Sequence, residues 1–121
     1  MKAILFVDDH EVLARLSCEV LKRNGYHADY AYNGTEALAK FEREPFDMVV
    51  TDYHMEGMNG LELARRLREQ APGLPIIIVS GYATPEPCEA VNAWIDKQDM
   101  FAVLLEAIQR LLQESESMRR A

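Results

Sequence analysis

Five strand-length segments alternate along this chain with stretches of helical spacing, and that alternation constrains the fold more than any single motif. The first segment, Ala3-Ile4-Leu5-Phe6-Val7, is continuously apolar and is closed by Asp8, Asp9 and His10. Residues 26–32 alternate aromatic and small side chains. Residues 47–52 run apolar to Asp52. Residues 74–79 are the most apolar run of all and stop at Ser80-Gly81, and residues 93–97 read Ala-Trp-Ile-Asp-Lys. A short, unbroken apolar run suits a strand covered on both faces, as in a parallel sheet. Between these segments apolar residues recur at three and four. Val12, Leu13, Leu16, Val20 and Leu21 form one stripe, and Ala37, Leu38 and Phe41 a second. Leu61, Leu63, Ala64 and Leu67 form a third, and Phe101, Leu104, Leu105, Ile108, Leu111 and Leu112 the last and clearest. The pattern predicts an α/β fold with a parallel sheet and right-handed crossovers.

The punctuation agrees. Asn24-Gly25 stops the first helix. Asn33 is placed to cap the second, with Glu36 in capping-box register, and Pro45 lies beyond its end. The third begins near Gly60, after a loop over residues 53–59, and is broken by Ala71-Pro72-Gly73. Asp99 is the expected cap of the last helix. The polar tail from residue 114 to 121 is expected to fray. Arg65, Arg66 and Arg68 are expected on the solvated face of the third helix.

The 121 residues suit one domain, and no repeat, linker or second domain is visible. A hydrophobic share of 49% supplies a core, and 27% charged residues keep the chain in the globular class. The net charge of −7 opposes a nucleic-acid surface, which needs a basic stripe, and an anionic membrane face. Cys18 and Cys88 lie far apart without metal-ligand spacing and read as reduced thiols. The leading apolar run is too short to span a bilayer or to act as a signal peptide, so a soluble, cytoplasmic protein is expected.

In an open α/β sheet, ligands gather beyond the carboxyl ends of the strands. The chain puts Asp8 and Asp9 there after the first strand, Asp52 after the third, Ser80 after the fourth and Lys97 after the fifth. Asp52 alone could be a nucleophile, a metal ligand or a helix cap. Three converging carboxylates repel, and a hard divalent cation resolves this; Mg²⁺ suits oxygen ligands. With the metal in place a phosphoryl group can approach Asp52, Lys97 offers a compact positive charge to its oxygens, and Ser80 a hydroxyl.

These residues resemble the receiver domain of two-component response regulators over nearly the whole chain. The likeness rests on Val7-Asp8-Asp9, on Asp52 followed by Met55 and Gly60, on Val79-Ser80-Gly81 and on Ile95-Asp96-Lys97. The resemblance implies a single flavodoxin-like (βα)5 domain over residues 1–121, with sheet order 2-1-3-4-5 and no output domain. It implies that Asp52 accepts the phosphoryl group from a sensor histidine kinase or a histidine phosphotransfer domain. Asp9 is implied as the direct Mg²⁺ ligand, with Asp8 assisting through water, and Asp52 and the backbone carbonyl of His54 completing the set. Ser80 and Lys97 would hold the phosphoryl group, Ser80 and Trp94 would form the switch, and His54 and Tyr82 would tune the phosphoryl lifetime. The protein would promote only its own phosphorylation and dephosphorylation. It would work as a monomer or weak dimer, and its switched face would serve a downstream protein partner.

The chain departs from the family at three places. Gln98 follows Lys97 where proline is usual, which predicts a trans bond there. Residues 81–96 leave about one helical turn (~4 residues) less than the family has between its hydroxyl and lysine. With Pro85 and Pro87 in that segment, a short or irregular fourth helix is expected. Glu56 replaces a proline in the loop after the acceptor and is expected to be a solvated charge. The missing proline and the short segment also support an alternative, a receiver-like interaction module that works without phosphorylation. An aspartyl-phosphate phosphatase would need a second aspartate where His54 stands, and a flavin-binding flavodoxin would need a phosphate loop where Asp8-Asp9-His10-Glu11 would repel the ligand.

Overall fold

The computed structural model describes residues 1–81 and 88–120, with side chains through Met118. Strands β1 (Ala3–Val7), β2 (His27–Ala31), β3 (Met48–Asp52), β4 (Ile76–Ser80) and β5 (Ala93–Asp96) form one parallel sheet in the order β2-β1-β3-β4-β5. The four α-helices among the described residues are α1 (Glu11–Arg23), α2 (Gly34–Arg43), α3 (Gly60–Gln70) and α4 (Met100–Arg120). This is the flavodoxin-like order expected from the sequence.

The central strands are apolar throughout because both faces of the sheet are covered. Every residue of β3 and β4 is buried. Alternate side chains feed two separate cores. On one face Phe6, Val50, Ile77 and Val79 meet Ala14, Cys18 and Leu21 of α1 and Met100, Leu104 and Ile108 of α4. On the other, Leu5, Val7, Val49 and Ile78 meet Ala37 of α2 and Leu61, Leu63, Ala64 and Leu67 of α3.

Several expectations change. The inward face of α1 is set by Ala14, Ser17, Cys18 and Leu21, whereas Val12 and Leu16 are 67% and 51% exposed. Of the expected stripe, Leu21 is buried and Leu13 and Val20 are half-buried. Phe101 likewise stands half out of the α4 stripe. The tail is helical as far as described: α4 continues to Arg120, and the ion pair of Glu116 with Lys2 at 3.0 Å ties it to the start of β1. Asp96, not Asp99, caps the turn that leads into α4. Its Oδ1 accepts from Gln98 N at 2.9 Å, and Asp99 lies inside the single 3-10 turn Lys97–Asp99. Arg68 is not on the solvated face; its guanidinium donates to Pro72 O and Ala90 O. Between β4 and β5 the described residues hold a turn closed by Val91 N donating to Cys88 O at 3.2 Å. The rest of the expected fourth helix, with Pro85 and Pro87, lies outside the described residues.

Candidate functional site

The strand register brings the carboxylates together before any side-chain contact does. Val7 pairs with Thr51 and Asp52 with Val79. Asp8 and Asp52 therefore leave the sheet at one level, and Ser80 follows one step later. Ser80 pairs with Asp96, which sets Lys97 just past the same edge. Asp8 is pinned on both sides. Its N–H donates to Ala31 O at 3.0 Å, and its Oδ1 accepts from His10 N at 2.9 Å. His10 then caps α1 through Nδ1, which accepts from Leu13 N at 3.2 Å.

Carboxylate oxygens of Asp8, Asp9 and Asp52 lie within 4.8 Å of one another. Asp8 and Asp52 are buried and Asp9 faces solvent. Lys97 Nζ enters from the other side, 3.1 Å from Asp52 Oδ2 and 3.7 Å from Asp8 Oδ2. Burial pushes the Asp52 carboxyl above its ordinary range, and the charge of Asp8 pushes it further, against the hydrogen bond from Lys97. For Lys97, burial pulls the ammonium down. The hydrogen bond and charge of Asp52, then the charges of Asp8 and Asp9, outweigh this and leave it raised. At an effective dielectric constant near 20, the buried pair Asp8 and Asp52 repel by roughly 3 kcal/mol. Three carboxylates facing one lysine leave an excess of negative charge on hard oxygen donors. That donor set fits a divalent cation of the Mg²⁺ or Ca²⁺ kind.

The loop after Asp52 wraps the site closely. Gly60 N donates to Tyr53 O at 2.9 Å, and a Cβ on Gly60 would collide with the carbonyl oxygen of Asp52. Thr51 Oγ1 donates to that same carbonyl at 3.0 Å. The Tyr53 ring lies between the edge-on ring of His54 at 4.8 Å and the indole of Trp94 at 5.9 Å. Trp94 is half-buried against the α3-side core, and His54 is exposed. Ser80 is buried at the end of β4. Glu56 is exposed and lines an open cleft beside Asp9, Tyr32 and Met58, as expected of a solvated loop charge. Tyr82 lies outside the described residues. The peptide bond after Lys97 is trans, as Gln98 predicted, and Lys97 reaches Asp52 without the proline.

Sequence reasoning missed three contributors. Asn59 caps α3 by accepting from Glu62 N at 2.9 Å. An asparagine followed three residues later by glutamate was its visible signal, the same as at Asn33 and Glu36. Gly60 marked a helix start in the sequence, and nothing there showed the close approach to Asp52. Tyr53 carried no signal, because its contact with Trp94 spans two strands.

The family model for the response regulator receiver domain matches residues 4–109. The response regulator receiver protein CpdR of Brucella abortus (strain 2308) is 39% identical over 83 residues, 69% of each chain. Other curated relatives are matched over smaller shares of their length, down to 6%. Among solved structures, the response regulator TrrA of Thermotoga maritima, in complex with Mg²⁺-BeF, is 35% identical with a TM-score of 0.84. The match covers 92% of this chain and 99% of that one. A chain of the complex between the histidine kinase ThkA and TrrA matches with 36% identity and a TM-score of 0.83, over 93% of this chain and 99% of that one. The CheY-like receiver domain protein of Methanospirillum hungatei JF-1 is 32% identical, with a TM-score of 0.88 and 98% of both chains covered.

Proposed function

This chain belongs to the response regulator receiver domain family, and from that premise we propose that Asp52 is the residue on which it takes up a phosphoryl group. It works in two-component signalling, and the donor is the phosphohistidine of a sensor histidine kinase or of a phosphotransfer domain. A carboxylate oxygen of Asp52 attacks the phosphorus, the phosphorus–nitrogen bond breaks, and the imidazole leaves with the electron pair. Asp8, Asp9, Asp52 and the His54 carbonyl would hold Mg²⁺, which when bound offsets the charge that otherwise keeps a phosphoryl group away from carboxylates. Lys97 swings from Asp52 Oδ2 to a phosphoryl oxygen, and the Ser80 hydroxyl donates to another. Trp94, whose indole rests against Tyr53 next to Asp52, passes the change with Ser80 to the face around β4 and β5. His54 tunes the lifetime of the acyl phosphate; Tyr82, expected to share that role, lies outside the described residues.

The observation that carries this reading is Lys97 Nζ lying 3.1 Å from Asp52 Oδ2 and 3.7 Å from Asp8 Oδ2. Residues from three strand ends meet in one pocket, although the chain lacks the proline usual after the lysine. The reading without phosphorylation thereby loses one of its two supports.

The protein acts on its own aspartate and turns over no separate substrate. No described helix is long and apolar enough to cross a membrane. We place the protein in the cytoplasm, as a monomer or weak dimer with a protein partner downstream. The test is incubation with a small phosphodonor and Mg²⁺, read by intact mass, alongside calorimetric titration with beryllofluoride. One phosphoryl group added in the wild type and none in Asp52→Ala is expected. The absence of both labelling and beryllofluoride binding in the wild type would overturn the assignment.

A further inference from the structure

The arginine at the end of α3 stands apart from the pocket, yet it is bonded to the segment that leads into β5, the strand that delivers Lys97. Arg68 Nη1 donates to Pro72 O at 2.8 Å and, at 3.5 Å, to Ala71 O. These contacts close the end of α3. Nη2 reaches across to the next connection and donates to Ala90 O at 2.9 Å and Asn92 Oδ1 at 2.8 Å. Asn92 Oδ1 also accepts from Ile76 N at 2.9 Å, while Asn92 N donates to Ile76 O at 2.8 Å. One asparagine thus joins Arg68 to the first residue of β4, immediately before β5 begins.

From Asn92 the ladder continues without slack. Ile77 pairs with Ala93 and Ser80 with Asp96, and the Asp96 cap on Gln98 N fixes the direction in which the chain leaves. Lys97 lies inside that bond, between Asp96 at the end of β5 and Gln98. β5 is the edge strand of the sheet and only four residues long. An edge strand this short has one neighbour to hold its register. Among the described residues, the four oxygens that the guanidinium meets are all neutral, and burial lowers its pKa. A guanidinium held in this way is a fork that fixes geometry.

We propose that Arg68 is a positioning residue for Lys97: through Ala90 and Asn92 it fixes the start of β5, and so the placement of the ammonium over Asp52. The proposal builds on the assignment of Asp52 as acceptor. It makes Arg68 part of the phosphoryl-binding apparatus although it touches no reacting atom.

The test is a double-mutant cycle of Arg68→Gln and Lys97→Ala, run on two readouts. The first is calorimetric binding of beryllofluoride with Mg²⁺. Arg68→Gln is expected to weaken binding about tenfold when Lys97 is present, and by less than about twofold when Lys97 is alanine. The second is urea unfolding of the metal-free protein, where the double variant should lose less than the sum of the two single losses. Residues this far apart with no shared partner ordinarily add, so a merely structural Arg68 gives additive losses in both cycles. That result overturns the proposal. Should Arg68→Gln fail to fold, Asn92→Ala takes its place, with the same pattern expected; it removes the bridge and leaves three of the Arg68 bonds. If the wild type does not bind beryllofluoride, the Asp52 assignment fails, and the unfolding cycle alone decides for or against Arg68.

Discussion

Asp52 is held in a place that disfavours its charge. It is 5% exposed, with Asp8 beside it, and burial is the larger cause of its raised pKa. The folded value stands above the ordinary 3.8 of the unfolded chain. The folded state therefore binds this proton more tightly than the unfolded one. Above the folded pKa the ionised carboxylate subtracts from stability, and the loss is relieved as pH falls through that value. Metal-free Asp52→Asn should thus melt higher than the wild type at neutral pH, and the gap should close as pH falls toward about 4. Melting curves across that range check this; a gap that stays constant or widens toward acid contradicts the assigned cause. Gly60 answers to sterics. A Cβ on Gly60 would press into the Asp52 carbonyl oxygen and force the backbone at Asp52 to move. Gly60→Ala should cost about 1–3 kcal/mol in urea unfolding and also lower the rate of phosphorylation.

At the scale of elements, two helices start in the same way but have different neighbours. Asn33 accepts from Glu36 N and Asn59 from Glu62 N, at 2.8 and 2.9 Å. Each cap removed as alanine should cost about 1 kcal/mol of stability. Only Asn59→Ala should also weaken beryllofluoride binding, because α3 begins against the Asp52 backbone. Equal effects of the two variants on binding would show that the start of α3 does not position Asp52. The strands and most helix ends were legible because each is written locally, in an apolar run, an asparagine or a glycine. What could not be read depends on distance through space. The inward face of α1 is set by how close Ala14, Ser17 and Cys18 come to the sheet, so a stripe drawn through Val12 and Leu16 pointed partly outward. Arg68 read as a solvated charge because its partners at Ala90 and Asn92 belong to another connection. The capping role of Asp96 was hidden by Asp99 three residues on, since either could begin the turn.

For the whole molecule, the question is whether the acidic pocket or the overall acidity governs the response to cations. The candidate site was legible in outline: Asp8, Asp9, Asp52, Ser80 and Lys97 were placed at strand ends by the alternation alone, and the sheet order brings those ends to one edge. The chain also carries a net charge of −7, and any salt screens that diffuse repulsion. A site and a screen act differently. A cation bound only by the folded state, at a concentration 100-fold above its dissociation constant, adds about 2.7 kcal/mol. For a domain of this size that is a rise in melting temperature on the order of 10 °C. Screening follows ionic strength and treats all acidic residues alike. Millimolar Mg²⁺ should therefore raise the melting temperature of the wild type well beyond NaCl at matched ionic strength. The Mg²⁺ excess should vanish in Asp9→Asn, whose carboxylate faces solvent at the pocket and whose loss leaves the buried pair in place. In Asp29→Asn, which carries the same change in net charge at β2, the excess should persist, with some general loss of stability from the broken ion pair to Lys40. Equal responses to Mg²⁺ and NaCl, or an excess that survives in Asp9→Asn, would make the response a property of the overall charge and remove the pocket as its seat.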